Sequence, residues 1–170
     1  MNPENPDEWI EVLYQKYHTD LFRFLFSILC DRFRAEDLMQ EVFLKAWQMH
    51  PAFPNDKAEK VWLFRVARNF AMDELRHKKY ETVGIPEAFP DENPDDQNSI
   101  LSVKELLVMI DELKEPDREI VRLKLLGQLS HQEIAQVLHR TVHSVKNVMK
   151  EQSELCEVNL RRTSDDKFRI

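Results

Sequence analysis

Glycine is almost absent. The 170-residue chain has two, Gly84 and Gly127, which leaves no glycine-rich phosphate loop. No alternating β-branched run lies between turn signals, so a composition rich in Leu, Glu, Lys, Arg and Gln predicts an all-α chain with little or no sheet. The two cysteines, Cys30 and Cys156, lie far apart among apolar helix positions, and buried reduced thiols are expected there. The six histidines show no HExxH or Cys/His ligand spacing, so no metal or other cofactor is expected. A nucleophile and base pair is missing too, which disfavours an enzyme. The longest apolar run, LFRFLFSILC at 21–30, is too short to span a bilayer and contains Arg23. With no basic segment leading into a cleavable apolar stretch, the expectation is a cytoplasmic protein without membrane insertion.

Net charge is −7, which argues against a nucleic-acid partner until its distribution is read. Residues 1–79 hold 12 basic and 13 acidic side chains, residues 102–170 hold 12 and 12, and residues 80–101 hold none and 6. The excess sits in the middle, and either flank can carry a local basic face. The middle stretch, YETVGIPEAFPDENPDDQNSI, has three prolines and no apolar periodicity, and reads as an acidic linker over 80–100 between helical domains at 1–79 and 101–170. It is either a spacer extended by self-repulsion or a polyanionic strand lying in a groove built for nucleic acid.

Helices are expected at about 7–30, 34–49 and 58–79, then at about 100–114 and from the Glu115-Pro116 step to Gly127. In the second of these, AEDLMQEVFLKAWQ places Leu38, Met39, Val42, Phe43, Ala46 and Trp47 on one face, as packing on a core requires. Asp37, Gln40, Glu41, Lys45 and Gln48 take the other face, with Leu44 in their midst. Isolated exposed leucines are common, so the pattern alone leaves Leu44 unexplained. In the third helix Leu63, Phe64, Ala67, Phe70, Ala71 and Leu75 make a core face. Trp62, Arg65, Asn69 and Arg76 lie opposite, flanked by Arg68 and Lys79. Such a face suits single-stranded nucleic acid, because flat groups stack on bases and cations meet phosphates; a solvated polar face with Trp62 under a loop has the same pattern.

Further on, Ser130-His131-Gln132-Glu133 is a capping box that starts a helix at His131. After the turn His139-Arg140-Thr141, Thr141 can cap a helix over 142–160 with Val142, Val145, Val148, Met149, Cys156 and Leu160 on one side. The other side shows His143, Lys146, Asn147 and Lys150. This describes a helix-turn-helix, although helical hairpins in ordinary bundles look similar.

Taken in order, AEDLMQEVFLKAW, the loop with Phe53, WLFRVARNFAMDELRHKK, a linker, LSHQEIAQVL and TVHSVKNVMK resemble the sigma factors of bacterial RNA polymerase. The short form with two end domains resembles the extracytoplasmic-function group. This resemblance implies that core RNA polymerase and promoter DNA are the partners, with an anti-sigma factor as inhibitor. It implies docking on a polymerase coiled coil through Asp37, Gln40, Glu41, Leu44, Lys45 and Gln48, Leu44 being the apolar anchor. The minus-ten non-template strand would meet Phe53, Trp62, Arg65, Val66 and Asn69, with Arg76 on the same side, and binding of the unpaired state would drive melting. The minus-thirty-five element would meet His143, Lys146, Asn147, Lys150 and Glu151. There the chain departs from the family pattern: His139 and His143 replace small turn residues, and Val148, Glu151 and Ser153 replace usual arginines. Fewer cations mean weaker phosphate attraction. A sigma-like helix-turn-helix regulator acting without the polymerase, or only accessory to it, is the alternative.

Overall fold

The computed structural model describes residues 6–49, 51–78 and 107–153. The expected linker, Cys156, Leu160 and the expected helical stretches over 100–106 and beyond 153 lie outside the described residues. Among those described, every regular element is helical: α1 (Pro6–Leu29), α2 (Arg32–Met49), α3 (Asp56–Lys78), α4 (Asp117–Leu125), α5 (His131–Leu138) and α6 (Val142–Glu151), with residues 107–111 also helical. The chain is all-α, as expected.

Helix starts follow side chains that satisfy the first turn's amides. Asp31 Oδ1 accepts from the Arg34 N–H at 3.1 Å, and α2 begins at Arg32 rather than 34. Asn55 Oδ1 accepts from the Ala58 N–H at 2.9 Å, and α3 begins at Asp56 rather than 58. Each such cap is worth about 1 kcal/mol.

The first three helices pack around Leu13, Leu21, Phe24, Leu25, Val42, Leu63 and Phe64, all buried, with the Phe24 and Phe64 rings 5.5 Å apart. Polar bridges pin this group at both ends. Lys16 Nζ of α1 lies 2.9 Å from Asp56 and 3.2 Å from Glu59 at the start of α3. Burial works against that ammonium, but its bonds to Asp56, Tyr17 and Glu59 outweigh burial and raise its pKa. Burial, first of all, pushes the neighbouring Tyr17 up to about 12. At the other end Arg34 of α2 donates to both carboxylate oxygens of Glu74 on α3, at 2.9 and 2.8 Å.

Three positions differ from expectation where helices run out of neighbours. Trp47 is 44% exposed, its indole donating to Asp7 at 3.1 Å across the first turn of α1. Leu75 is also exposed, because the buried face of α3 ends at Ala71. Cys30 is half-buried at φ 50°, just past the end of α1, rather than buried within a helix.

The second group closes around Ile110, Ile120, Leu123, Leu129, Ile134 and Val145, and its core is continuous with that of the first. Arg122 is buried among these residues, one terminal nitrogen donating to Asp111 at 2.7 Å; burial, foremost, depresses its pKa. Gly127 follows α4 as expected. Its φ is not positive; the left-handed residue is its neighbour Gln128, at φ 55°. A Cβ on Gly127 would lie 2.8 Å from Phe64 Cε1 and 2.9 Å from both the Leu123 carbonyl oxygen and Leu129 Cδ1. Glycine is required there by close approach, not by handedness.

Candidate functional site

The outer face of α2 is open. Asp37, Gln40, Glu41 and Gln48 are exposed, and Leu44 among them is 52% exposed. Lys45 departs from this ring, half-buried with its ammonium 5.1 Å from the centre of the Phe70 ring. Beside Leu44 runs a shallow groove of about 560 Å³, with Ile10, Phe43 and Trp47 for apolar lining and Asp37, Gln40 and Glu41 along it. An apolar anchor with acid and amide neighbours suits a partner that offers an apolar side chain flanked by basic groups.

The outer face of α3 begins with an aromatic wall. Phe53, in the loop before the helix, meets Trp62 edge-on at 5.8 Å, and both are half-buried. Asn69 is exposed, and Arg76 is exposed and paired with Asp73 one turn away. Val66 is only 8% exposed. Arg65 is half-buried with a buried Nε that has no partner. The expected strand residues thus divide into an available set, Phe53, Trp62, Asn69 and Arg76, and a covered pair, Arg65 and Val66.

The helix-turn-helix forms as its capping residues dictate. The Ser130 N–H donates to Glu133 Oε2 at 2.7 Å and the Glu133 N–H returns to Ser130 Oγ at 3.3 Å. α5 ends at His139 in the left-handed region, φ 52°, where a non-glycine residue is strained. Thr141 Oγ1 accepts from the Ser144 N–H at 3.2 Å to start α6. His143, Lys146, Asn147, Lys150 and Glu151 are all exposed along one side of α6, with Asn147 Nδ2 and His143 Nε2 3.2 Å apart. These five residues are brought together as the sequence predicts.

Sequence reasoning missed how the two groups meet. Lys60 Nζ donates to the Gln128 carbonyl at 2.7 Å, a terminal Arg65 nitrogen donates to the Gln136 carbonyl at 2.7 Å, and Arg68 forks onto the Glu119 carboxylate. Between them lies a groove of about 580 Å³ lined by Arg65, Gln132, Gln136, His139 and Arg140. The partners are 51 to 71 residues apart in sequence, and two of the three acceptors are main-chain carbonyls. No residue pattern could have announced them. Trp47 was missed as a groove residue because it fits a helical core face.

Residues 13–80 match Sigma-70 region 2, and residues 104–150 match Sigma-70, region 4. The chain is 34% identical over 151 residues to the ECF RNA polymerase sigma factor SigM of Bacillus subtilis (strain 168), covering 82% of this chain and 88% of that protein. It is 29% identical over 150 residues to SigX of the same organism, covering 82% and 77%. Among solved structures, CnrH in complex with the cytosolic domain of CnrY has a TM-score of 0.65 at 20% identity, covering 93% of this chain and 90% of that one. The sigma factor RpoE in complex with the anti-sigma factor NepR from Bartonella quintana has a TM-score of 0.64 at 18% identity, covering 91% and 96%. These two share the fold.

Proposed function

Because the chain belongs to the extracytoplasmic-function sigma factors, which bind core RNA polymerase and direct it to promoters, we propose an assignment of those tasks to its surfaces. The outer face of α2 docks on the polymerase with Leu44 as anchor and Asp37, Gln40, Glu41, Lys45 and Gln48 around it. The outer face of α3 with Phe53 captures the minus-ten non-template strand: Trp62 and Phe53 wall a pocket for an unpaired base, Asn69 offers an amide to its polar edge, and Arg65, Val66 and Arg76 complete the track. Opening the duplex costs roughly 1.4 kcal/mol per base-pair step, which a few stacked and hydrogen-bonded bases offset without ATP. His143, Lys146, Asn147, Lys150 and Glu151 of α6 face the minus-thirty-five element.

The domains divide at 1–79 and 101–170, with 80–100 as linker. The protein acts in the cytoplasm and is not an enzyme. Among the described residues no helix is long and apolar enough to cross a membrane. Since both solved relatives were captured with an inhibitor or partner chain, regulation by an anti-sigma factor is part of the proposal.

The observation that carries the assignment is Leu44, half-exposed on an otherwise polar face beside an apolar groove. Reconstitution with core polymerase and a pool of promoter fragments tests it: transcripts from a defined subset are expected with the native chain, and about thirty-fold fewer with Leu44→Asp when the protein is limiting. A gel shift of duplex by the chain alone would favour the regulator that works without polymerase.

A further inference from the structure

We infer that Lys124 of α4, His131 of α5 and Lys146 of α6 together grip one backbone phosphate of the minus-thirty-five duplex, and that His131 takes up a proton from solvent as it does so. This rests on the reading of α6 as the helix that faces that element. The three side chains come from three elements and converge beside the exposed row of α6. The Lys124 ammonium donates to the Leu129 carbonyl at 3.3 Å, which holds it at the approach to His131, the first residue of α5. Lys146 stands on the exposed side of α6 with His143, Asn147 and Lys150. Lys146 and Lys150 are the only lysines or arginines of α6, and Glu151 closes it. Further phosphate attraction must come from outside that helix, and Lys124 and His131 supply it. Phosphate contacts fix how a helix lies on a duplex without reading its sequence, so these two are positioning residues.

Both ammonium charges act on the half-buried His131 ring. Burial first, then Lys124 and Lys146, keep its pKa below the ordinary histidine value, and among the described residues no carboxylate counters them there. Glu133, on the same turn of α5, accepts instead from the Ser130 N–H. From α3, which also packs on α5, Lys60 and Arg65 donate to the Gln128 and Gln136 carbonyls. Without DNA, His131 is therefore largely neutral at pH 7. A phosphate placed among the three groups cancels their repulsion and favours the charged imidazole, which then serves as a third cation. Because binding raises the pKa of His131, affinity grows as pH falls toward the value in the complex, by at most about ten-fold per pH unit for one proton.

Holoenzyme reconstituted from core polymerase and the full chain would be titrated with a promoter duplex recovered from the transcribed pool. Each duplex carries a neutral methylphosphonate at one phosphate of the upstream element. With native protein, one or two adjacent positions should weaken binding about five-fold or more. With Lys124→Gln or His131→Gln, both of which keep a side-chain N–H, the same positions should cost about two-fold or less. Between pH 8 and pH 6, native binding to the unmodified duplex should tighten about three- to ten-fold more than His131→Gln binding. A phosphate profile shared by native and variant holoenzymes, or a pH dependence shared by native and His131→Gln, overturns the inference. Asn147→Ala separates this from the reading beneath it. If that variant selects the same upstream sequences as native from a randomised pool, and no upstream methylphosphonate weakens native binding, α6 does not lie on the duplex and the function proposal fails there. If Asn147→Ala shifts the selected sequences while Lys124→Gln and His131→Gln leave the phosphate profile unmoved, the phosphate grip alone fails.

Discussion

α2 and α3 pack side by side on one core and end in one bridge, yet their outer faces are in opposite conditions. The face of α2 around Leu44 is open to solvent, whereas Arg65 and Arg68 of α3 are tied to the second helical group. Polarity does not tell these faces apart, since both carry charges, amides and one large apolar group. What separates them is whether an acceptor from elsewhere in the chain reaches them. On the proposed assignment, an open α2 face beside a partly covered α3 face would let polymerase bind first and DNA second.

The largest effect that could break this comparison is on α2 itself. Phe43 is buried beside Leu44, its ring 5.0 Å from Tyr14, so Phe43→Asp should unfold the first group, costing more than about 4 kcal/mol. Leu44→Asp should leave the thermal melt within about 0.5 kcal/mol of native while weakening core polymerase binding by roughly 2 kcal/mol, about thirty-fold. Pull-downs alongside melts check both. Undiminished polymerase binding by a normally folded Leu44→Asp protein would make that leucine an ordinary surface residue.

The strand face should respond next. Trp62→Ala removes a stacking surface worth about 1–3 kcal/mol per base, and Asn69→Ala removes a hydrogen-bonding amide worth about 1 kcal/mol. Both should reduce permanganate-reactive thymines in open complexes while core binding holds. Because Trp62 also packs on Phe53, its variant should lose some thermal stability and the Asn69 variant none. Normal melting of promoters by both would sink the assignment of α3.

A smaller change is expected on α6. Glu151 is exposed where a cation is expected, and Glu151→Arg should tighten duplex binding by about three- to ten-fold at low salt and relax or shift the preferred upstream sequence. Competition binding on a randomised duplex would show either. The smallest effect sits on His131 at the start of α5, the helix that supplies the Gln136 carbonyl. Burial, then Lys124 and Lys146, hold its pKa below the ordinary histidine value. The unfolded chain therefore takes up the proton first as pH falls through about 6.5, and the second group loses stability on the acid side. His131→Gln should flatten that dependence in melts taken on either side of this pH.

Most of the fold is legible from periodicity and caps. Leu38, Met39, Val42, Phe43 and Ala46 are buried as the helical spacing requires, and Ser130 and Glu133 form their reciprocal cap. Periodicity failed at Trp47 and Leu75 because it specifies an azimuth on a helix, not whether a neighbour exists at that height. Gly127 was placed correctly but its reason was not legible, since sequence cannot distinguish a glycine needed for its dihedral from one needed for closeness. On α3, Arg65 and Arg68 read as cations of a face that meets nucleic acid or solvent, because the oxygens they bind are far away in sequence, and two of the three inter-group acceptors belong to backbone that every residue shares. For the same reason, the polar pattern of the α3 face was readable and the coverage of Arg65 was not.

The fork of Arg34 on Glu74 has a metric consequence. With Lys16 of α1 fixed against Asp56 and Glu59 at the opposite end of α3, that helix cannot slide or splay from α1 and α2 without breaking charge-assisted bonds. A polymerase that grips α2, as proposed, would thereby carry α3 at a constant offset, like a gauge block clamped to a lathe bed. On the proposed assignment, the position on the enzyme at which the first unpaired base is received would then be a length written into the protein, and promoter sequence would choose only which base arrives there.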